Sequence, residues 1–256
     1  MENYFEKEFE LRYFEMDKTG KASPITMMTL LQETAADHCA FAGHSLVSLM
    51  SQNLGWVLLS GMMEIDRYPE YNEKIIIRTW LSKYKSIRGT RENIIYDEHY
   101  NIIGKAKGLW LFFDIEKRKP TKIPNYYRDN WLSCEKTSLD HDISSTIETI
   151  KSPQYLNKFT VNRYDTDTNK HVNNISYFHW LLESIPQEII DNYYLHSIDG
   201  RFLAESQYGD SIISYTNKVD DQNSFIHEIY VEGNNNPCAT AKTIWKPLTN
   251  NKNTNL

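Results

Sequence analysis

In two places the apolar residues of this chain recur at helical spacing, and after each they pass into runs that read as strands. Ile175, Phe178, Leu181, Leu182 and Ile185 fall close to a helical period, with Asn173 or Asn174 placed to cap the first turn and Pro186 to end or kink the helix. A similar run follows Ser23, Pro24 and Ile25 and reaches Leu31, Gln32 and Glu33. After the first helix, residues 74–81, 91–97 and 105–114 are rich in Ile, Trp, Tyr and Phe and are separated by Ser, Gly and Asn. After the second, residues 211–218, 225–232 and 238–245 repeat the pattern. One helix followed by several strands, without strand–helix alternation, predicts an α+β fold in which an antiparallel sheet wraps a helix.

The two runs belong to a duplication. Arg12 and Tyr13 lead to Asp17 and on to Glu33, as Arg163 and Tyr164 lead to Asp167 and on to Glu183, and the offset is 150 residues from Asp17 to Asp167 and again from Glu33 to Glu183. Residues 71–77 resemble 208–214, and residues 106–110 resemble 241–245. A period this long is two copies of a domain-sized unit and not a solenoid repeat. Between the copies, residues 125–157 are polar and mixed, with Ser144, Ser145, Thr146 and Pro153, and read as a linker with little regular structure that can cross over one sheet. The predicted organisation is therefore 1–124, a linker over 125–157, 158–248, and a polar tail over 249–256.

Composition fits two packed units: 256 residues can bury two real cores, and the 13% of aromatic residues can help line an apolar groove. Cys39, Cys134 and Cys238 are odd in number and have neither metal nor disulfide spacing, which predicts free thiols in a reducing compartment. No apolar signal or long apolar segment is found, so a cytoplasmic protein without a membrane span is expected. Glycine-rich phosphate loops, paired Cys-x-x-Cys motifs and the His-Glu-x-x-His motif are all missing, so no cofactor and no metal is expected. Charge is uneven. The formal net charge is −6, yet residues 78–128 hold twelve Lys or Arg against five Asp or Glu. A local basic face on an acidic protein suits an acidic partner better than nucleic acid, although a solvated strand surface would carry the same residues.

Asp167, Asn169 and His171 place a carboxylate, an amide and an imidazole within five residues, just ahead of the second helix. The carboxylate can orient the imidazole or act as a base, and the free N–H groups of the helix start can hold developing negative charge, which suits attack on a carbonyl. The plainer reading is a capped loop, since Asp and Asn are common turn formers.

At this point the chain resembles the acyl-[acyl carrier protein] thioesterases, of the bacterial type. The matching pieces are the stretch from Asp167 to Asn174, Trp56, Val57 and Leu58 ahead of Arg67, Tyr68 and Pro69, the pair Thr79 and Trp80, Arg118, Lys119 and Pro120 with Lys122, Ile123 and Pro124, and Glu205 and Ser206 before Gly209 and Asp210. The resemblance implies two tandem hotdog folds, each a long helix wrapped by an antiparallel sheet, and the release of free fatty acid from acyl carrier protein. It implies an active site of Asp167, Asn169, His171 and Glu205. Ser206 stands where plant relatives often have cysteine and is a candidate nucleophile with His171 as its base; attack by activated water does not need it and is the favoured route.

In the first copy Thr19 and Lys21 stand where the second has Asn169 and His171, and only Asp17 is retained. That copy is therefore expected to shape the acyl pocket. Candidates for its wall are Met27, Met28, Leu30, Leu31, Phe41, Val47, Leu49, Met50, Trp56, Val57 and Leu58, although such a stripe is more often plain core. Acyl carrier proteins are acidic, so Lys83, Lys85, Arg88, Arg91, Lys117, Arg118 and Lys119 are the expected docking residues. A homodimer is compatible with the family. Other readings are an acyl-coenzyme A thioesterase, a hydratase or dehydratase, and a non-catalytic acyl-binding protein.

Overall fold

The computed structural model of the chain describes residues 4–125, 127, 131–167, 172–219 and 223–248. The two halves open alike. β1 (Phe5–Glu10) and β7 (Tyr155–Thr160) each lead into one turn of 3-10 helix, Tyr13–Glu15 or Arg163–Asp165. A short bridge then closes the next loop, Met16 with Ala22 and Thr166 with Val172. Both halves enter their main helix through a side-chain cap: the Ser23 hydroxyl accepts from the Thr26 N–H at 3.0 Å, and the Asn173 side chain from the Ile175 N–H at 3.0 Å. The strands, the 3-10 turns, the bridges and the capping residues Ser23 and Asn173 all keep the 150-residue offset.

The helices then diverge. α1 (Pro24–Phe41) runs 18 residues and is followed by α2 (Leu46–Ser51), whereas α3 (Asn174–Leu182) runs nine and is followed by α4 (Gln187–Asn192). α1 thus continues well past Glu33, where the sequence pattern placed its end. Pro186 caps the start of α4 instead of kinking α3, since its ring leaves no N–H to continue a helix.

The strands form one antiparallel sheet. In the first half it contains β2 (Leu54–Ile65), β3 (Lys74–Lys85), β4 (Arg88–Asp97), β5 (Ile102–Asp114) and the short β6 (Lys119–Pro120). In the second it contains β8 (Tyr193–Phe202), β9 (Ser211–Lys218), β10 (Ser224–Val231) and β11 (Ala239–Pro247). The spatial order is β1-β3-β4-β5-β2-β8-β11-β10-β9-β7, with β6 added to β5. The order β1-β3-β4-β5-β2 is mirrored as β7-β9-β10-β11-β8, and the halves join where β2 pairs with β8, Gly61 opposite Gly200. A Cβ at Gly200 would lie 3.3 Å from the Phe178 ring, so glycine lets α3 sit close to the junction.

One apolar core runs through both halves. Met27, Ile65, Ile75 and Ile77 from the first join Leu181, Ile198, Ile212 and Phe225 from the second, all at or near full burial. Each such side chain contributes roughly 1.5–3 kcal/mol by leaving water, so either half alone would expose part of a shared core.

The other face of the sheet is covered by the segment between the halves, which is less loose than its composition suggests. Glu92 accepts from the Ser138 N–H (2.9 Å) and hydroxyl (2.7 Å), the Lys107 ammonium donates to the Leu139 carbonyl (3.3 Å), and Arg201 Nε donates to the Ser145 carbonyl (2.8 Å). Glu228 accepts from the Ile150 N–H at 3.2 Å. The stretch read as linker also contains the start of β7 at Tyr155. The tail over 249–256 lies outside the described residues.

Candidate active site

A cavity of about 670 Å³ opens where the two halves meet. Its apolar wall comes from the first half: Ala35, Ala36 and Cys39 of α1, Leu49 and Met50 of α2, Trp56, Val57 and Leu58 of β2, and Trp110 and Leu111 of β5. The second half supplies Asp167, Asn173, Asn174, Glu205 and Gln207 at a polar end, which Arg118 of the first half also reaches, together with the apolar Val172, Phe202 and Leu203. Of the residues expected to shape an acyl pocket, Leu49, Met50, Trp56, Val57 and Leu58 line this cavity. Met28 and Leu31 line a smaller one of about 80 Å³ beside it, Met27 and Leu30 belong to the core, and Phe41 and Val47 are exposed.

Asp167 is held at the cavity by the architecture around it. The Asp165 carboxylate caps its own 3-10 turn through the Asn162 N–H (2.7 Å) and accepts from the Ser176 hydroxyl (3.1 Å), while its carbonyl accepts from the Asn173 N–H (2.8 Å). The Thr166–Val172 bridge then draws the loop neck shut, so Asp167 and the start of α3 face the same space. Asn169 and His171 lie outside the described residues.

Glu205 arrives from the segment after β8. The Leu203 and Ala204 N–H groups both donate to the Cys238 carbonyl, at 2.8 and 3.1 Å, which pins this segment to β11. Glu205 and Gln207 face the cavity, and Ser206 between them is fully buried and does not line it. The Ser206 N–H donates to the Tyr177 phenol oxygen at 2.9 Å, and the phenol donates to the Ser206 hydroxyl at 3.0 Å. Burial pushes the Tyr177 phenol up to about 12, so it stays protonated at neutral pH.

The basic residues divide. Lys83, Lys85 and Arg88 are exposed on the β3–β4 hairpin, and Lys117 and Lys119 are exposed on the β5–β6 hairpin. Both hairpins share one end of the sheet: the Phe112 N–H donates to the Ile87 carbonyl, and Phe113 pairs with Pro120. Gly89, Leu111 and Phe113 line the cavity from this same end. Arg91 corrects the sequence-based expectation. It is only 6% exposed and lines the cavity from inside, with its guanidinium on His38 Nδ1 (2.9 Å) and the Thr79 hydroxyl (3.1 Å), out of reach of any docked protein. Burial, with Arg91 beside it, pushes His38 down to about 3, so the imidazole is neutral and accepts the bond. Arg118 is exposed but turned inward, donating to Glu205 at 2.5 Å. Among the described residues no group of His, Cys, Asp and Glu is arranged to hold a metal ion.

Comparison with known proteins bears on this geometry. The family described as "Acyl-ACP thioesterase N-terminal domain", ACP being acyl carrier protein, matches residues 2–131, and the "Acyl-ACP thioesterase C-terminal domain" matches residues 148–247. The chain is 28% identical to an oleoyl-acyl carrier protein thioesterase of Coriandrum sativum, over 93% of this chain and 68% of that protein. It is 28% identical to oleoyl-acyl carrier protein thioesterase 2 of Arabidopsis thaliana, over 83% of this chain and 62% of that protein. Both relatives are described as chloroplastic, and the chain spans somewhat under or over two thirds of their length. Among solved structures, an acyl-ACP thioesterase from Bacteroides thetaiotaomicron superposes with a TM-score of 0.85 at 24% identity, covering 95% of this chain and 98% of that one. The 12:0-ACP thioesterase from Umbellularia californica gives 0.84 at 20% identity, covering 96% and 98%. At these identities the likeness is one of fold.

Proposed function

The chain belongs to the acyl-ACP thioesterase family, and from that premise we propose that it hydrolyses the thioester joining a fatty acyl chain to acyl carrier protein, releasing free fatty acid. The observation that carries this reading is the make-up of one cavity, with a long apolar wall from α1, α2, β2 and β5 of the first half and the carboxylates of Asp167 and Glu205 from the second. An acyl chain fits the apolar wall, and its thioester then lies by Asp167 and Glu205. A carboxylate with His171 takes a proton from water, and the hydroxide oxygen bonds to the thioester carbon. Asn169 and the positive end of the α3 dipole hold the oxyanion until the C–S bond breaks and the thiol leaves with a proton. Water is the favoured nucleophile over Ser206, whose hydroxyl is engaged by Tyr177 and turned from the cavity.

The carrier is proposed to dock on Lys83, Lys85, Arg88, Lys117 and Lys119, which ring the cavity end of the sheet. A cytoplasmic location and a homodimer complete the proposal, to be checked by cell fractionation and light scattering. Among the described residues no helix is long and apolar enough to cross a membrane. The deciding experiment is steady-state hydrolysis of one acyl chain presented on carrier protein and on coenzyme A. A clear preference for the carrier is expected. Preference for coenzyme A would make this an acyl-coenzyme A thioesterase, and tight binding without turnover would make it an acyl-binding protein.

A further inference from the structure

The β5–β6 hairpin of the first half reaches the polar end of the cavity in the second. Asp114 pairs with Lys119 in the ladder, and its carboxylate accepts from the Lys117 N–H at 2.8 Å and meets the Lys117 ammonium at 3.1 Å, which folds the hairpin tightly. Within it Arg118 has a φ of 49°, in the left-handed region that residues with a side chain seldom occupy. From that position its guanidinium donates to a Glu205 carboxylate oxygen at 2.5 Å, and both residues line the cavity.

Two physical considerations separate this contact from its neighbours. An exposed ion pair adds little to folding, and the Arg118 side chain is 58% exposed, so stability gives a weak reason for the hairpin to be wound this way. A charge-assisted bond from a guanidinium is directional, however, and Glu205 sits on irregular backbone between β8 and β9, where its flexible side chain has several rotamers to choose from. A donor fixed on a braced hairpin selects one of them.

Resting on the thioesterase reading above, we propose that Arg118 is a positioning residue for Glu205, acting across the junction of the two halves, and not a carrier-docking residue. The flanking Lys117 and Lys119 face solvent and keep the docking role. Arg118 instead ties the hairpin that meets the carrier to a carboxylate that meets the thioester.

The test is steady-state kinetics of R118A and R118K on acyl-carrier substrate and on a small uncharged acyl thioester, alone and combined with E205Q. For R118A, kcat is expected to fall about ten- to a hundredfold on both substrates with KM changed less than about threefold, since a misplaced reacting group costs turnover and not affinity. R118K should recover part of that loss, and R118A should cost almost nothing further once Glu205 is already Gln. A rise in KM confined to the carrier substrate would return Arg118 to docking. Unchanged kinetics, or losses that multiply with E205Q, would equally overturn the proposal. Should R118A fail to fold by circular dichroism, the R118K and E205Q cycle decides alone. Wild-type protein that turns over neither substrate would sink the thioesterase reading itself, a result distinct from active wild type with indifferent Arg118 variants.

Discussion

Replacing Ser206 by alanine should weaken the fold and spare the reaction. The Ser206 hydroxyl is fully buried, accepts from the Tyr177 phenol at 3.0 Å and contacts Cys238 Sγ at 3.7 Å. Without it the Tyr177 O–H, itself buried, loses its best acceptor, and the Ala204 carbonyl at 3.5 Å is a poor substitute. Leaving a buried donor poorly paired costs about 1–3 kcal/mol, and the small volume change and the remaining carbonyl place this case near 1–2 kcal/mol. For a chain of this size that lowers Tm by roughly 2–4 °C. Turnover separates the mechanisms more sharply. A covalent route through Ser206 would lose several orders of magnitude in kcat, whereas water attack should keep kcat within about threefold. Thermal unfolding and steady-state hydrolysis of the same preparation give both numbers. A folded S206A protein with kcat down by about a hundredfold or more, or an acyl adduct on Ser206 by mass spectrometry of quenched wild type, would refute the reasoning.

Asp167→Asn and Glu205→Gln should each lower kcat by about two orders of magnitude or more while leaving circular dichroism unchanged, and near-wild-type turnover in either would remove that carboxylate from the mechanism. Reversing Lys83, Lys85 and Arg88 to glutamate should raise KM for acyl-carrier substrate and flatten its salt dependence, with hydrolysis of a small uncharged thioester almost unchanged; equal losses on both substrates would assign these residues to folding. Acid should destabilise the fold through His227, which burial holds at about 3 between the Thr216 and Thr243 hydroxyls. Its folded value lies below its unfolded one, so its contribution is fully present above the ordinary histidine range and is lost as pH falls below it, at about 1.4 kcal/mol per pH unit. His38, which burial also holds at about 3, adds a like term, so chemical denaturation across pH 4–7 should show about twice this slope and H227Q should remove about half of it; an unchanged slope in H227Q would mean that His227 does not contribute.

The duplication was legible because its landmarks are local. Asp17 with Asp167 and Ser23 with Asn173 recur at fixed spacing because each loop closes and each helix is capped by residues within a few positions. The outer strands were legible from their aromatic and β-branched content. β2 and β8 were not. They lie in the middle of the sheet, β2 is a nearly unbroken apolar run without alternation, and Asp199 with Gly200 in β8 has the composition of a turn. In structure that Gly200 makes room for Phe178. Arg91 misled for a related reason. Both faces of β4 are covered, by the cavity and helices on one side and by the inter-half segment on the other, so Arg91 and Glu92 are both buried in succession. A basic residue on a strand signals an outward face only where one face is wet, and that depended on where the linker ran.

The same duplication explains why two copies yield one cavity. In the first half the Asp17 carboxylate accepts from the Thr19 N–H (2.7 Å) and hydroxyl (2.6 Å), which closes it into its own loop. Tyr68 takes the place that Glu205 has in the second half when Tyr71 is set against Tyr208, and its buried phenol donates to the Leu195 carbonyl at 2.8 Å. The polar end is thus filled in by an Asx turn and a core ring. The second half is short in the complementary respect. By the 150-residue offset the end of α3 at Leu182 matches Gln32, so Ala35, Ala36 and Cys39 lie on turns of α1 that the second half lacks. Those turns, with α2 behind them, form one side of the apolar cavity, and the two alanines leave its volume open. Each half has given up what the other keeps, so the apolar wall and the carboxylates come together only where the halves are joined. The β2–β8 junction that joins the halves therefore sets the distance between that apolar wall and Asp167 and Glu205.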